Sequence, residues 1–586
     1  MKLVLVAIHI DTSSRAVSLG TATLAAAVDQ AFGEEIDTTL VDCTLQQSAA
    51  DCTAQILNHA PDAVGLSVTV WNRDLALDIA RRLKAARPQL RLFAGGPEVT
   101  ADPRQPAWVE DLDFVLPGEG ENKLVQVLHG LLRGQAPADE TLFSTAAIAD
   151  LGQLPSPYLS GTLQPVRNGG TLWELSRGCP YRCDFCFESR GSTLVRRFPL
   201  QRVQAELELF AACGVSEVFV LDPTFNYHKQ SAKELLNLKA KYGQGLRFSL
   251  EIRAELVDAE LAERFTTIDC SLQIGLQSAD AAVLKLINRD FDREEFSDKV
   301  LLLHEAGVSY GFDLIYGLPG DSLEGFLASL DFALSLQPNH LDIFPLAVLP
   351  GTRLAETATG LGLEYQRHNP YRVLCSTTFS SDDMTQAARI AAACDFFYNR
   401  GRAVPWFALV LENLDLLPSE FLTRFADTMP ESLPVDPVAM QQRFISEQFL
   451  QLQQPEVAAL AVDLLAYFGY AQTLCEDSQP REPGKTSRSG LQLSPAACFV
   501  SFCHDPQQLQ EHLAAGITDL EELAFFVARV DAEHLCWRFA GELNFYRPSP
   551  AETRYLKSLA SAAPAPEPTA DFVAEALAAG ILCRKG

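Results

Sequence analysis

Residues 176 to 189 read Ser-Arg-Gly-Cys-Pro-Tyr-Arg-Cys-Asp-Phe-Cys-Phe-Glu-Ser, and Cys179, Cys183 and Cys186 within them are spaced Cx3Cx2C. Three thiolates this close can hold three corners of a four-iron cubane. Such a cluster ordinarily takes four cysteines, so a three-cysteine loop leaves one iron with an open site for a small ligand. With 14 cysteines in 586 residues, chance spacing is a poor explanation. A structural zinc site wants four ligands, usually as two spaced pairs, whereas the next cysteine, Cys213, stands alone in an apparent helix. A disulfide framework is not expected either. The chain starts Met-Lys-Leu-Val-Leu-Val-Ala-Ile and runs straight into a folded pattern with no secretory signal, so a cytoplasmic location is expected.

A loop of this kind needs a scaffold that aims other groups at the open iron. Residues 171 to 355 repeat strand then helix six times, with strands at Thr171 to Leu175, Val218 to Leu221, Phe248 to Ile252, Ser271 to Ile274, Tyr310 to Ile315 and His340 to Pro345. Six such units make an open partial barrel whose working groups project from the carboxyl ends of the strands. Those ends are polar: Leu221-Asp222-Pro223, Glu251-Ile252-Arg253 and Gln273-Ile274-Gly275-Leu276-Gln277-Ser278. Glu251 and Arg253, one residue apart, point to one face of a strand. Each feature also has a structural explanation: Glu251 and Arg253 could pair with each other, and Gln277-Ser278 could cap the next helix.

Upstream, residues 1 to 135 alternate short apolar runs with amphipathic stretches. Strands are expected at Lys2 to Ile10, Asp37 to Val41, Ala63 to Val68, Leu90 to Ala94 and Asp113 to Val115, with helices near 14 to 32, 51 to 59, 73 to 87 and 121 to 133. Five strands separated by helices predict a doubly wound parallel sheet with ligands beyond the carboxyl ends of its strands. The loops there are Ser18-Leu19-Gly20, Ser67-Val68-Thr69-Val70-Trp71-Asn72, Gly95-Gly96-Pro97-Glu98 and Gly118-Glu119-Gly120-Glu121. Their glycines let a ligand approach the backbone closely.

The cysteine loop, with aromatic Phe185 before its last cysteine, resembles the Cx3CxΦC signature of the radical S-adenosylmethionine (radical SAM) superfamily. The resemblance implies that Cys179, Cys183 and Cys186 hold a [4Fe-4S] cluster and that Phe185 shields it. Asp222, Glu251, Arg253 and Gln277 are then the candidates to orient S-adenosylmethionine at the open iron. Placed ahead of such a loop, the first domain resembles the cobalamin-binding domain of cobalamin-dependent radical SAM proteins. The match lies in Ser18 and Gly20, in Ser67, Thr69 and Trp71, in Gly95, Gly96 and Glu98, and in Gly118, Glu119 and Gly120. The Asp-x-His-x-x-Gly motif that supplies an axial histidine elsewhere is absent, because His9 is followed by Ile10, Asp11 and Thr12. The implied cobalamin is therefore bound without a protein histidine. The segments Phe396 to Gly401 and Asp463 to Tyr470 resemble the helical extension of one uncharacterised family of such proteins, so the resemblance spans about residues 1 to 475.

The expected class is α/β. A doubly wound, Rossmann-like (flavodoxin-like) cobalamin-binding domain occupies 1–135 and a linker 136–170. A partial (β/α)6 radical SAM barrel follows over 171–355, then a mostly helical region over 356–475, a flexible linker over 476–494 and a small domain over 495–586. A second linker is expected around Ala563 to Pro568. Cys503-His504 and His534-x-Cys536 lack the usual spacing of zinc pairs. The net charge of -28 argues against a nucleic-acid partner, and no apolar run is long enough to span a membrane. Arg177, Arg182, Arg190, Arg196 and Arg197 around the cluster loop are read as partners of carboxylates and of the cluster's charge.

The expected function is a cobalamin-dependent radical SAM enzyme, a methyltransferase acting on an unactivated carbon of a small molecule or peptide. Its expected partners are that substrate and an electron donor such as flavodoxin or ferredoxin. Two alternatives stay open: cyclisation, rearrangement or oxidation with the same cofactors and no methyl transfer, and a first domain that serves only for docking.

Overall fold

The computed structural model describes residues 1–13, 16–144, 146–188, 193–430, 437–476, 491–539, 542–561 and 568–584. Arg190 and most of both expected linkers, 476–494 and 563–568, lie outside them. The chain forms two compact units, Met1–Ala388 and Arg389–Gly586.

In the first unit, Lys2–His9 (β1), Asp37–Thr44 (β2), Ala63–Ser67 (β3), Arg91–Gly95 (β4) and Phe114–Leu116 (β5) form a five-stranded sheet in the order β2-β1-β3-β4-β5. Every pairing is parallel. Such a sheet is covered on both faces, so its strands read as continuous apolar runs. Alternation along β1 shows the consequence: Val4, Val6 and Ile8 join the core under helices 49–57 and 73–86, and Leu3 and Leu5 join the core under helices 19–32 and 121–132. The first helix, expected from residue 14, begins at Leu19. Val17 and Ser18, just before it, lie at the carboxyl edge of the sheet.

The second sheet has six parallel strands in the order β13-β12-β11-β10-β9-β6, open between its ends. They are Gly170–Trp173 (β6), Glu217–Val220 (β9), Arg247–Ile252 (β10), Cys270–Gln277 (β11), Ser309–Tyr316 (β12) and His340–Pro345 (β13). Between β6 and β9, Ser176–Arg177 (β7) pairs antiparallel with Arg196–Arg197 (β8). Glu364–Tyr365 (β14) and Val373–Cys375 (β15) form a small hairpin. Along β11, Leu272, Ile274 and Leu276 are buried, while the alternate residues Ser271, Gln273, Gly275 and Gln277 are only half-buried. The barrel is thus apolar on one face and polar on the other, which is the face that can serve a ligand. The chain from 136 to 170 is tied to this barrel: Tyr158 is buried, with its hydroxyl against Thr171 Oγ1 and Leu172 O, and Ser156 donates to Glu206.

In the second unit the FFYNR segment, Asp395–Arg400, is a single wide π-helical turn whose rings seed an aromatic core. Phe397 meets Phe421 at 5.0 Å and Phe425 at 4.8 Å edge to face, a geometry that adds to plain area burial. Helices Phe407–Leu414, Pro418–Thr428, Pro437–Gln451 and Pro455–Glu476 follow. The small domain after them has Leu491–Leu493 (β16), Ala497–His504 (β17), Arg529–Phe539 (β18), Glu542–Tyr546 (β19) and Leu582–Arg584 (β20). They pair as β17-β18-β19 and β16-β20. Cys503 and His504 serve a hydrogen-bond staple here. Buried Asp463 accepts the backbone N–H groups of Cys503 (2.9 Å) and His504 (2.7 Å) and contacts the His504 ring at 2.8 Å. Among the described residues no helix is long and apolar enough to cross a membrane.

Because Asp463 satisfies three buried groups at once, Asp463→Leu should destabilise this unit by about 3 kcal/mol. Denaturant unfolding of the full chain measures it, and a loss below 1 kcal/mol would remove the staple from the account.

Candidate active site

The loop that carries the cysteines is held from both sides. Before it, Asp222 at the end of β9 accepts the N–H groups of Leu175 (2.8 Å) and Ser176 (3.1 Å) and the Ser176 hydroxyl. Within it, Asp184 N–H donates to Ile287 O (3.0 Å), Asn288 Nδ2 donates to Arg182 O (2.7 Å), and Leu354 N–H donates to Asp184 O (2.8 Å). Gly178 makes the turn into Cys179 with φ near 101°, a conformation that costs a side chain dearly. Cys179 and Cys183 are buried, and Cys186 and Phe185 are half-buried. Burial pushes the Cys179 thiol up, and neighbouring Cys183 and Glu188 add to this against the help of the Tyr181 amide. A metal must therefore supply the charge that makes these ligands thiolates. Among the described residues no three His, Cys, Asp or Glu side chains converge on a single ion. Three thiolates presented to three separate irons of a cubane do not have to converge, so the donor set fits that cluster.

Around the loop stand groups of both signs. Glu251 has its carboxyl pushed up to about 7 by burial, then by Asp313 and Glu188, although solvent in the mouth still reaches it. Asp313 is pushed to about 6 by burial, with its Gln273 hydrogen bond opposing and Asp342 adding. Arg289 donates to Gly275 O and lies against Cys183, with its pKa drawn down by burial and by Arg253. Gln277, at φ 70° where β11 bulges, sits beside Gly275 in the same region.

Two expected ligands of the mouth are otherwise engaged. Arg253 does not face Glu251; it stacks on Tyr181 at 3.7 Å and pairs with Glu255 at 2.8 Å. The strand ends at Ile252, so the alternation that would have aligned the two residues stops there. Asp222 is spent on the backbone entering the loop, so its task is to position that loop.

Between the two parallel sheets lies a cavity of about 770 Å3 with an adjoining lobe of about 290 Å3. The first sheet contributes Gly20, Ser67, Thr69, Trp71, Gly95, Gly96, Gly118, Glu119 and Gly120 to the main chamber, and the barrel contributes Ser176, Arg177, Gly178, Glu188 and Leu221. Trp71 is exposed there. Ser18 and His9 line the lobe, where the His9 ring is shared by Ser18 Oγ (3.0 Å) and Asp42 (3.2 Å). Two of the cavity glycines are required by space. A Cβ at Gly96, which has φ 108°, would strike Val68 O at 2.5 Å, and one at Gly65 on the cavity floor would strike the Phe93 ring at 2.5 Å. A Cβ at Gly20 would meet nothing within 4 Å. A large ligand with amide arms fits this cradle: Thr69 Oγ1 and Glu121 Oε2 are buried with no hydrogen-bond partner among the described residues, and both residues line the cavity.

Glu98 is absent from that lining. It is buried, accepts from Tyr371 Oη at 2.9 Å and stands 3.6 Å from Arg73, with burial pushing its carboxyl up. Its expected part in the cradle is corrected to a bridge between the first domain and the chain that follows the barrel. Glu119 lines the cavity but spends its oxygens on Arg196 (2.6 and 3.0 Å) and on the Ile148 amide. The motif reading quoted Glu121 without a role and read Arg177 as a partner of carboxylates, which it is, but it missed Glu174, Arg289 and Asp313. A signal existed for the last, because an acid on the polar alternation of β12 faces the same way as Glu251 on β10.

Residues 7–128 match the B12 binding domain and residues 173–333 match the radical SAM superfamily. The chain thus carries a B12 binding domain ahead of a radical SAM domain. It is 28% identical over 362 residues to 2-(S-pantetheinyl)-carbapenam-3-carboxylate methyltransferase of Streptantibioticus cattleyicolor, covering 55% of this chain and 52% of that one. It is also 28% identical over 331 residues to the cobalamin-dependent radical SAM methyltransferase TokK of Streptomyces tokunonensis, covering 50% and 48%. The chain thus spans about half the length of these relatives. Its fold is similar to that of the cobalamin-dependent S-adenosylmethionine radical enzyme OxsB with aqua-cobalamin bound, at TM-score 0.55 and 15% identity over 78% of this chain and 76% of that one.

The two glycines separate space from strain. Gly20→Leu should leave the thermal transition unchanged and abolish cobalamin uptake, whereas Gly96→Ala should lose both. Retention of cobalamin absorbance after gel filtration, beside calorimetry, reads the two effects. Full uptake by Gly20→Leu would move the ligand elsewhere.

Proposed function

We propose that the chain is a cobalamin-dependent radical SAM enzyme that cleaves S-adenosylmethionine reductively at a [4Fe-4S] cluster and methylates an unactivated carbon of a small molecule or peptide. The observation that carries this reading is the shared wall of the large cavity, where Ser176 and Gly178 at the entry to the cysteine loop look across at the glycine cradle. Both relatives named above are methyltransferases, which favours methyl transfer over the alternatives. When bound, the cluster and S-adenosylmethionine supply one-electron cleavage and hydrogen-atom abstraction, and cobalamin supplies a transferable methyl group.

The chain's own residues do the rest. Cys179, Cys183 and Cys186 ligate three irons, and Phe185 covers the loop. Glu251, Asp313 and Gln277 offer acceptors to the amino and ribose groups of S-adenosylmethionine, and Arg289 offers a donor to its carboxylate. Trp71 would pack against the corrin, and the loop that carries it would offer cobalt no histidine. Ser67, Thr69, Gly95, Gly96, Gly118 and Gly120 receive the corrin and its tail. The two domains, 1–135 and 171–355, exclude water from the space between them, and a ferredoxin or flavodoxin supplies the electron.

Ligand count gives the first test. Alanine at any of Cys179, Cys183 or Cys186 should abolish both the cluster spectrum and formation of 5′-deoxyadenosine and S-adenosylhomocysteine, whereas Cys213→Ala should do neither. Full cleavage by Cys183→Ala would end the radical SAM reading.

A second test uses charge. The fold favours protonated Glu251, since about 7 lies above its usual 4.5. That contribution to stability is complete below 4.5 and is lost as pH rises through 7. Binding of cationic S-adenosylmethionine should move oppositely and tighten between pH 6 and 8 as Glu251 ionises. In Glu251→Gln, affinity measured by equilibrium dialysis should fall and its pH dependence flatten; an unchanged slope would assign the interaction to another group.

A further inference from the structure

The main chamber between the two parallel sheets is lined by the carboxyl groups of Glu119, Glu121, Glu174 and Glu188 and by the guanidiniums of Arg177 and Arg196, with no lysine among the described residues of its wall. Much of this charge is used within the wall. Glu119 takes Arg196 and the Ile148 amide, and the two oxygens of Glu174 take Arg177 at 2.8 and 3.0 Å. Glu121 is different. It is only 5% exposed, its Oε1 accepts from Arg177 Nη2 at 2.6 Å, and its Oε2 has no hydrogen-bond partner among the described residues. The residue lines both the main chamber and the lobe that holds Ser18 and His9. A carboxylate accepts and cannot donate, so only a donor on a ligand completes it. Arg196 presents the opposite case on the same wall: its Nε is buried without a partner, while its Nη atoms hold Glu119 and Ile148 O. A primary amide carries both a donor and an acceptor and can meet either group. A carboxylate can meet only Arg196, and at Glu121 it sets lone pairs against lone pairs.

We propose that Glu121 is a specificity-determining residue of the cavity, whose free oxygen selects a corrin with arms ending in primary amides over one with arms ending in carboxylates. The inference rests on the reading that this cavity receives cobalamin. Arg177 does not undo the selection, because Glu121 (2.6 Å), Glu174 (2.8 Å) and Glu119 (3.8 Å) already surround its one positive charge. A carboxylated corrin therefore meets an excess of acids as well as an acceptor that it cannot fill.

The test compares two corrins without a nucleotide tail: aqua-cobinamide, whose free arms are amides, and aqua-cobyrinic acid, whose arms are carboxylates. Equilibrium dialysis against the full chain, read by corrin absorbance, should find cobinamide bound at least about ten-fold more tightly, the scale of a hydrogen bond to a charged group. That ratio should persist in about 1 M salt, where the Debye length is about 3 Å and the net charge of -28 no longer acts at a distance. Glu121→Gln leaves an oxygen for Arg177 and adds a donor for an acid arm, so it should bring the ratio in salt close to one. Glu121→Ser, neutral and compatible with the first turn of a helix, should do the same and decides the matter if the first variant does not fold. Equal wild-type binding, a ratio that disappears in salt, or an unchanged ratio in a folded neutral variant would each overturn the proposal. Uptake of cobalamin but of neither test corrin would make the tail the determinant and overturn it too. Wild-type protein that takes up none of the three would instead defeat the cobalamin reading, and the proposal with it.

Discussion

The geometry of both halves of the site depends on one buried guanidinium. Arg177, two residues before Cys179, donates to Glu174 (2.8 Å) just ahead of its own strand and to Glu121 (2.6 Å) at the start of a helix of the first domain, and it lies 3.8 Å from Glu119. Arg196, on the strand paired with it, holds Glu119 bidentately. Burial works against the charge of Arg177, but Glu121 and Glu174 outweigh it and push its pKa up; Glu119 is drawn below the usual carboxylate range for the same reason, by Arg196 and the Ile148 amide. A desolvated ion pair contributes little net stability, and its value is geometric, since breaking one leaves a bare charge. Here it fixes the distance and angle between the loop that presents cysteines and the loop that presents glycines.

That network explains why Gly-Glu-Gly-Glu ends the first sheet. The glycines admit a ligand and the glutamates reach past it to the barrel, so one short segment serves both the cavity and the joint. Lys123 supports it from behind with its ammonium on the carbonyls of Pro117, Leu142 and Ser144. Of the arginines around the cluster loop, Arg177 and Arg196 are taken up by carboxylates, whereas Arg197 donates to the Ser231 hydroxyl.

Fold and motifs were legible because they rest on local rules. Runs such as Leu3 to Ile8 can be buried on both faces only in a covered parallel sheet, and Cx3Cx2C fixes three donors by chain connectivity alone. All eleven strands of the two parallel sheets fall where alternation and turn chemistry put them. What the sequence did not disclose was direction. Asp222, Glu98 and Arg253 have the right chemistry at strand ends, and each turns to a partner distant in sequence: the Leu175–Ser176 backbone, Tyr371 with Arg73, and Tyr181. A charged side chain at a strand end has two ways to satisfy itself, a ligand or a neighbour, and only tertiary packing chooses between them.

The same distinction shows why the cradle is preformed. Within the loop after β3, Asn72 accepts from Thr69 N–H (2.8 Å) and donates to Ser67 O (3.1 Å) and Ile8 O (3.3 Å), so its amide is used up inside the loop and against β1. The loop therefore holds its shape without help from a ligand, and Trp71 projects into the cavity from a fixed base. Preorganisation of this kind lowers the ordering cost of binding. It also decides which groups are left over: with Asn72 spent internally and the His9 ring held by Ser18 and Asp42, the floor offers a ligand ring and glycine backbone in place of a strong donor. These residues would hold a corrin in place without supplying a ligand of their own, and they would leave the chemistry to the groups at the mouth of the barrel.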